Sequence, residues 1–169
     1  MTRQRNILLI EGDLRVRQAL GQALAAEDYR VVSARNHHEA IRELIRQPTD
    51  RPIDIVLLDL NPRTGNAQET VQRLTDLQPS LPILGMTGCL EEPYAISMAS
   101  MLDALMEKPL NISQLLRTLS ELISRREIPR RRRSFLAGVQ AHRLFLMIYT
   151  LTGLIPRSTP RRVSWRARL

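Results

Sequence analysis

The sequence predicts a doubly wound α/β fold, in which a five-stranded parallel sheet carries helices on both faces and a basic C-terminal extension follows. Two patterns lead to this prediction. Short apolar runs alternate five times with amphipathic segments of helical period, which is typical of repeated β–α units. Residues 55–58, IVLL, are apolar at every position and indicate a central strand covered on both faces. Because the crossovers of such units are right-handed, helices are expected on both sides of the sheet.

Five segments are predicted as strands because each is short, apolar and bounded by polar or turn-forming residues. They are residues 6–10, 30–33, 53–58, 82–86 and 104–106. In a parallel sheet the carboxyl ends of the strands lie along one edge, where such folds place their sites. Glu11, Asp59, Thr87 and Lys108 each stand at the end of a different predicted strand. The topology therefore predicts that these four side chains converge.

Helices are predicted between these strands and after the last one, from apolar residues spaced three or four positions apart. The stripes fall at 16–24, 40–45, 71–77, 92–100 and 112–123, of which the fourth is the weakest. Asp13 is predicted to cap the first helix and Asn111 the fifth. His37 and His38 head the second helix. A solvated turn is expected there rather than a metal pair, since adjacent helix residues point about 100° apart.

The composition fits one domain of ordinary size with an extension: 169 residues, of which 43% are hydrophobic and 4% aromatic. Such a core is built from aliphatic side chains and methionine. The single cysteine, Cys89, excludes an intramolecular disulfide and suits a reducing cytoplasm, which is the predicted location. Only the short apolar run 7–10 precedes Glu11, so no secretory signal is expected.

Charge divides the chain in two. Residues 1–124, predicted as the folded domain, carry 13 basic and 16 acidic side chains, whereas residues 125–169 carry 12 arginines and one acid. The net charges are −3 and +11, so the basicity belongs to the extension. Lys108 is the only lysine among 25 basic residues. A lysine at this position indicates that the site needs a compact ammonium, which fits beside a phosphoryl oxygen, and not the planar guanidinium of an arginine.

Four segments together resemble the receiver domain of response regulators in two-component signalling. They are 7–13, 54–61, 82–87 and 107–109, which read ILLIEGD, DIVLLDLN, PILGMT and EKP. Each is short, but their order and their places at strand ends make the combination specific. The resemblance covers roughly residues 5–125. It implies the flavodoxin-like strand order 2-1-3-4-5.

The resemblance implies a role for each matching residue. Asp59 is implied as the phosphoacceptor of a phosphorelay, taking its phosphoryl group from a histidine kinase, a phosphotransfer protein or a small phosphodonor. Thr87 is implied to donate its hydroxyl to a phosphoryl oxygen. Lys108 is implied to neutralise another oxygen and, beforehand, to pair with Asp59. The peptide bond between Lys108 and Pro109 is implied to be cis.

The sequence departs from the family pattern at several positions. Receivers carry two adjacent acids after the first strand that help to hold Mg²⁺, and the matching positions here are Glu11 and Gly12. Glycine has no side-chain oxygen, so Glu11, Asp59 and the Asn61 carbonyl are left as weak ligands for an ion that demands octahedral oxygen ligation. Leu105 replaces the aromatic switch residue of the fifth strand. An atypical receiver is therefore expected, in which phosphorylation is slow, metal-poor or absent.

Three interpretations of residues 125–169 stay open. The arginines at 125, 126 and 130–133 indicate phosphate contacts with nucleic acid. The apolar run 144–155, flanked by arginines, indicates either a segment lying on an anionic membrane or a helix that docks on protein. Its 12 residues fall short of the roughly 20 needed to span a bilayer. We favour the docking helix, followed by a disordered end from residue 156.

The sequence as a whole predicts a signalling module rather than an enzyme. Output is expected through protein contacts of the face formed by the fourth helix, fifth strand and fifth helix, through which receivers also form homodimers. The alternative is a nucleic-acid-binding regulator that acts through the arginine-rich extension. A flavin-binding protein of similar topology is disfavoured, because no Gly-, Ser- or Thr-rich phosphate loop follows the first strand.

Overall fold

The computed structural model describes residues 3–61 and 67–127. Strands and helices alternate throughout these ranges, which confirms the predicted α/β class. The elements are β1 (Asn6–Ile10), α1 (Leu14–Ala26), β2 (Arg30–Ala34), α2 (His37–Arg46), β3 (Ile55–Asp59), α3 (Ala67–Leu77), β4 (Ile83–Thr87), α4 (Pro93–Ala99), β5 (Ala104–Glu107) and α5 (Ile112–Glu127).

The five strands form one parallel sheet in the order β2-β1-β3-β4-β5, which confirms the predicted topology. After β2 the chain crosses back over β1 and continues on its other side. The connections that follow β1 and β3 therefore leave the sheet on opposite faces, and a crevice opens between them at the carboxyl ends. Asp59 and Thr87 are the last residues of β3 and β4, so both stand at this edge.

Alternation along the strands divides the core into two layers, one on each face of the sheet. One layer packs strand residues such as Leu8, Val56 and Ile83 against α2, α3 and α4. The other packs Leu9, Leu57 and their neighbours against α1 and α5. Because both faces are covered, β1 and β3 are apolar at almost every position, as the sequence indicated.

The last helix reaches beyond the predicted end of the domain at residue 124. Helix α5 continues through Arg125 and Arg126 and ends at Glu127. The guanidinium of Arg126 donates to the carbonyl oxygens of Ile53 at 2.7 Å and Asp54 at 3.2 Å, so this arginine is part of the folded domain. The predicted docking helix and disordered end of the extension lie outside the described residues. In the part of the chain that is described, no helix has the length and hydropathy to cross a membrane.

Candidate functional site

Three of the four predicted side chains meet at the carboxyl edge of the sheet. Glu11 follows β1, Asp59 ends β3 and Lys108 follows β5. The Nζ amine of Lys108 donates to Oδ1 of Asp59 at 2.8 Å and to Oε2 of Glu11 at 2.6 Å. The two acids lie 49 and 97 positions from the lysine in sequence, so only the fold brings the three groups together.

The lysine bridge lies partly out of contact with water. The exposed fraction of the side chain is 3% for Glu11, 16% for Asp59 and 26% for Lys108, so the attraction is stronger than between fully solvated groups. Burial lowers the pKa of Lys108, but the hydrogen bonds and charges of Asp59 and Glu11 raise it by more. The net pKa lies above the usual lysine value, so the amine stays charged at neutral pH.

Both carboxylate oxygens of Glu11 are engaged. While Oε2 bonds to Lys108, Oε1 accepts the backbone N–H of Asp13 at 3.0 Å. Asp13 caps α1 as predicted, because its carboxylate accepts from the backbone N–H groups of Val16 at 3.1 Å and Arg15 at 2.7 Å. The same two bonds hold the pKa of Asp13 below its usual value. Glu11 therefore orders the connection between β1 and α1 as well as the lysine.

Thr87 lies at the same edge, but its hydroxyl faces the connection that follows β4. The residue is 1% exposed, and its Oγ1 donates to the carbonyl of Cys89 at 3.1 Å and accepts the Cys89 N–H at 3.3 Å. Its link to Lys108 is through the backbone, where the Lys108 N–H donates to the Thr87 carbonyl at 2.7 Å. A phosphoryl oxygen at Asp59 would have to replace Cys89 as the partner of this hydroxyl. The adjoining Lys108–Pro109 bond is cis, as the resemblance implied.

A cleft of about 450 Å³ opens beside Asp59 and is lined by groups of both charges. Its lining includes Glu11, Asp13 and Asp59, together with Arg35 from the connection between β2 and α2 and His37 from the start of α2. The expectation of a solvated histidine turn is wrong for His37, which is only 9% exposed. It lies at the first turn of α2, and its ring centroid is 3.7 Å from that of His38.

Gly12 leaves the cleft open on the side of Arg35. A Cβ atom built on Gly12 would meet only the backbone carbonyl oxygen of Arg35, at 3.9 Å, which is an ordinary van der Waals distance. Steric crowding therefore does not require glycine at this position. The effect of Gly12 is chemical, because the edge of the site lacks the carboxylate that receivers have at this position.

The oxygen atoms of this site fit Mg²⁺ poorly. The ion needs near-octahedral oxygen ligation at short, fixed distances. Each oxygen of Glu11 already accepts one hydrogen bond, from Lys108 or from the Asp13 N–H, and position 12 has no side chain. The other predicted ligands are Asp59 and the carbonyl of Asn61. Within residues 3–61 and 67–127, no group of three or more His, Cys, Asp or Glu side chains is arranged to hold a metal ion.

Sequence reasoning missed two arginines beside the site. Arg35 lines the cleft, and Arg17 of α1 donates to the carbonyl oxygens of Glu11 at 2.5 Å and Gly12 at 3.1 Å. Arginine is the usual cation of this chain, so neither position stands out in the sequence. Only the strand order shows that residue 35, at the end of the neighbouring strand β2, faces the same crevice as Asp59.

Comparison with known proteins agrees with the fold. A family model described as the response regulator receiver domain matches residues 7–120. The transcriptional regulatory protein ZraR of Klebsiella oxytoca is 29% identical over 123 residues, which are 72% of this chain. The chain spans 27% of that protein's length, so the resemblance concerns one part of a longer relative.

Solved structures share the fold at low sequence identity. A CheY-like receiver domain protein from Methanospirillum hungatei has a TM-score of 0.65 at 21% identity, covering 74% of this chain and 98% of its own. The response regulator TrrA of Thermotoga maritima, solved in complex with Mg²⁺ and BeF, has a TM-score of 0.61 at 20% identity. That match covers 70% of this chain and 99% of the other.

Proposed function

The chain belongs to the response-regulator receiver family of two-component phosphorelay signalling, and we propose that Asp59 is its phosphoacceptor. Receiver domains act with histidine kinases or phosphotransfer proteins and generally bind Mg²⁺ at the phosphorylation site. One observation carries the proposal: the amine of Lys108 lies 2.8 Å from Asp59 at the carboxyl edge of the sheet. A carboxylate held there by a cation is placed to attack phosphorus and to have the resulting charge neutralised.

The two oxygens of Asp59 have different roles in this proposal. Oδ1 accepts the hydrogen bond from Lys108, so Oδ2 is the oxygen that attacks phosphorus. Phosphoryl transfer depends on positioning and charge neutralisation more than on covalent chemistry by the protein. Lys108 supplies both, since it fixes the carboxylate before the reaction and lies beside the phosphoryl oxygens after it. The poor oxygen set for Mg²⁺ makes the reaction slow by comparison with receivers that have two acids at this edge.

The switch side supports an atypical receiver. Thr87 reports occupancy by exchanging its hydrogen bond with Cys89 for one with a phosphoryl oxygen, which moves the connection after β4. No aromatic ring follows this movement, because position 105 of β5 is leucine, and its side chain is packed against the core. Output is then through protein contacts of the face formed by α4, β5 and α5, and the domain itself catalyses no further reaction.

An apolar groove beside the site is the proposed docking surface for the phosphodonor protein. It has a volume of about 510 Å³ and runs between α1 and the start of α5. Lys108 lines it as well, so a helix that docks there delivers its phosphohistidine next to Asp59. The lining residues are Val16, Ala19, Leu20, Ala23, Lys108, Pro109, Leu110 and Ile112. Val16 and Ile112 are 39% and 37% exposed, which leaves apolar surface for a partner to cover.

The test is modification by a small phosphodonor. The full chain is incubated with acetyl phosphate, and intact-mass spectrometry follows the added phosphoryl group. We expect slow, substoichiometric modification that Asp59→Asn abolishes and Asp76→Asn, a change on the exposed face of α3, leaves intact. Modification that persists in Asp59→Asn would disprove the assignment. Rapid, stoichiometric modification at ordinary Mg²⁺ would instead disprove the atypical character while keeping Asp59.

A further inference from the structure

Arg35 lines the cleft beside Asp59 without any role in the family pattern. It follows β2, which pairs with β1, so its backbone stands at the same edge of the sheet as Glu11. The backbone N–H of Glu11 donates to the carbonyl of Ala34 at 3.1 Å, which ties the two connections together. The side chain of Arg35 is 69% exposed, so the guanidinium has room to turn.

Gly12 lines the same cleft as Arg35 and brings no side chain into it. The nearest heavy atom to a Cβ at position 12 is the Arg35 carbonyl oxygen at 3.9 Å, so there is room for an acidic side chain at this position. Such a side chain would take up space in the cleft that Arg35 and Asp59 also line. Glycine leaves that space free for a cation from the connection that follows β2.

We propose that Arg35 supplies the second positive charge of the phosphorylated state, in place of the charge that a metal ion brings to receivers with a full acidic pair. The proposal rests on Asp59 being the phosphoacceptor. Lys108 neutralises the phosphoryl group from the β5 side, and Arg35 neutralises it from the β2 side. A guanidinium suits this task because its planar donors match phosphate oxygens in pairs.

The present partner of Arg35 is one that it can release. Its Nε lies 3.6 Å from Oε2 of Glu39, and this ion pair is exposed, a class that contributes little stability. The backbone N–H of Arg35 donates to the same oxygen at 2.8 Å, which holds the start of the side chain in place when the guanidinium turns. A dianionic phosphoryl group attracts the guanidinium more strongly than one solvated carboxylate does.

Phosphoramidate tests this role because its transfer needs no added proton. Oδ2 of Asp59 forms a bond to phosphorus as the phosphorus–nitrogen bond breaks. The electron pair of that bond leaves with nitrogen, and ammonia departs with the three protons that the donor already carries. The negative charge of the carboxylate and the charge of the phosphoryl group end together on the acyl phosphate, where Lys108 and Arg35 neutralise them.

The experiment measures initial rates of Asp59 phosphorylation of the full chain by phosphoramidate, with Mg²⁺ and with excess EDTA. We expect EDTA to leave the wild-type rate unchanged. Arg35→Ala should lower the rate in EDTA by about 10- to 100-fold, and Arg35→Lys should restore part of it. Arg46→Ala is the matched control, since Arg46 is an equally exposed, ion-paired arginine of α2 that does not line the cleft.

A second measurement separates charge neutralisation from a structural role. The half-life of the acyl phosphate is followed after the donor is removed, and we expect it to change with Arg35→Ala and to stay unchanged with Arg46→Ala. Loss of the wild-type rate in EDTA, or an unchanged rate in Arg35→Ala, would overturn the role of Arg35 while Asp59 remained the acceptor. Absence of Asp59 phosphorylation under every condition would overturn both proposals.

Discussion

Lys108 is the residue on which the charge balance of the site depends. Its amine is the cation bonded to both Glu11 and Asp59, and the side chain of Glu11 is 3% exposed. We predict that Lys108→Met lowers the free energy of unfolding by about 3 kcal/mol, because removing one partner leaves a buried carboxylate without compensation. Urea unfolding at neutral pH, with the midpoint and slope fitted separately, measures the loss.

Glu11→Gln provides the control for this prediction. In the double variant Lys108→Met with Glu11→Gln, the buried charge is gone together with its partner, so part of the lost stability should return. If the double variant is as unstable as the sum of the two single variants, the destabilisation comes from lost packing of the lysine stem and not from the charge.

The raised pKa of Lys108 also predicts how stability changes at alkaline pH. A lysine with a folded pKa above its unfolded value of 10.5 stabilises the fold fully below that pH. The contribution is lost as the pH rises through the folded value, because the proton then leaves the native state too. Tyr29 also contributes to the pH dependence at alkaline pH, because burial raises its pKa. Its contribution cancels when wild type is compared with Lys108→Met, since Tyr29 is present in both proteins. The stability difference between the two proteins should shrink above pH 10.5. A difference that stays constant would contradict the role of the charge.

Gly12→Asp should make a better metal site. The added carboxylate has space, since its Cβ meets only a carbonyl oxygen at 3.9 Å, and it gives Mg²⁺ an anionic oxygen beside Asp59. We expect Mg²⁺ to bind at least about tenfold more tightly, measured by isothermal titration calorimetry. Gly12→Ala adds the same Cβ without oxygen and should leave the affinity unchanged. Equal Mg²⁺ affinities in all three proteins would show that the missing carboxylate at position 12 is not the cause of weak Mg²⁺ binding.

Within strand β4, Gly85 is required by its neighbours. A Cβ at this position would meet the Cδ1 atoms of Leu102 at 2.7 Å and of Leu105 and Leu60 at 3.0 Å. We predict that Gly85→Ala lowers the free energy of unfolding by about 1–2 kcal/mol, because the leucines have to shift. Thermal or urea unfolding measures the loss.

Gly21→Ala is the opposite case within helix α1, where nothing lies within 4 Å of the new atom. It should stabilise the protein by about 0.5–1 kcal/mol.

The elements were largely predictable because the signal for each lies within its own segment. Strand β1 was predicted at its observed bounds, and the caps at Asp13 and Asn111 were also predicted, since capping depends on local residue types. The fifth helix was predicted to stop earlier. Its extension to Glu127 involves hydrogen bonds from Arg126 to the start of β3, a contact that no local pattern shows.

The site was predictable only where residues stood at strand ends. Topology alone placed Glu11, Asp59 and Lys108 at one edge, and their convergence is observed. The hydroxyl of Thr87 reached that edge too, but its present bond to Cys89 depends on the exact course of a loop. Arg35 carried no signal, because its relevance arises from the pairing of β2 with β1 and from an absent side chain at position 12.

At the scale of the whole molecule, the chain divides into parts of opposite charge. The compact unit ends at Glu127, and residues 128–169 hold ten arginines and no acid. Removing them would change the formal net charge of +8 to −2. So many arginines attract any nucleic acid through contacts with its phosphates. DNA binding by itself would therefore not show that DNA is the target through which the receiver acts.

Salt dependence therefore distinguishes the two outputs. Because we expect output through protein contacts, the full chain should bind DNA without sequence preference at about 50 mM salt and be released by about 200 mM, since phosphate contacts release counterions. A fluorescence-anisotropy titration with duplexes of unrelated sequence measures both properties, and the chain shortened to residues 1–127 should not bind at either salt concentration. Phosphorylation at Asp59 should leave this binding unchanged, as the phosphoryl site and the arginines then serve separate purposes. Base contacts, unlike phosphate contacts, keep their free energy when the counterion concentration rises. Selective binding to one sequence that survives the higher salt and responds to Asp59 phosphorylation would therefore make nucleic acid the regulated target of the receiver.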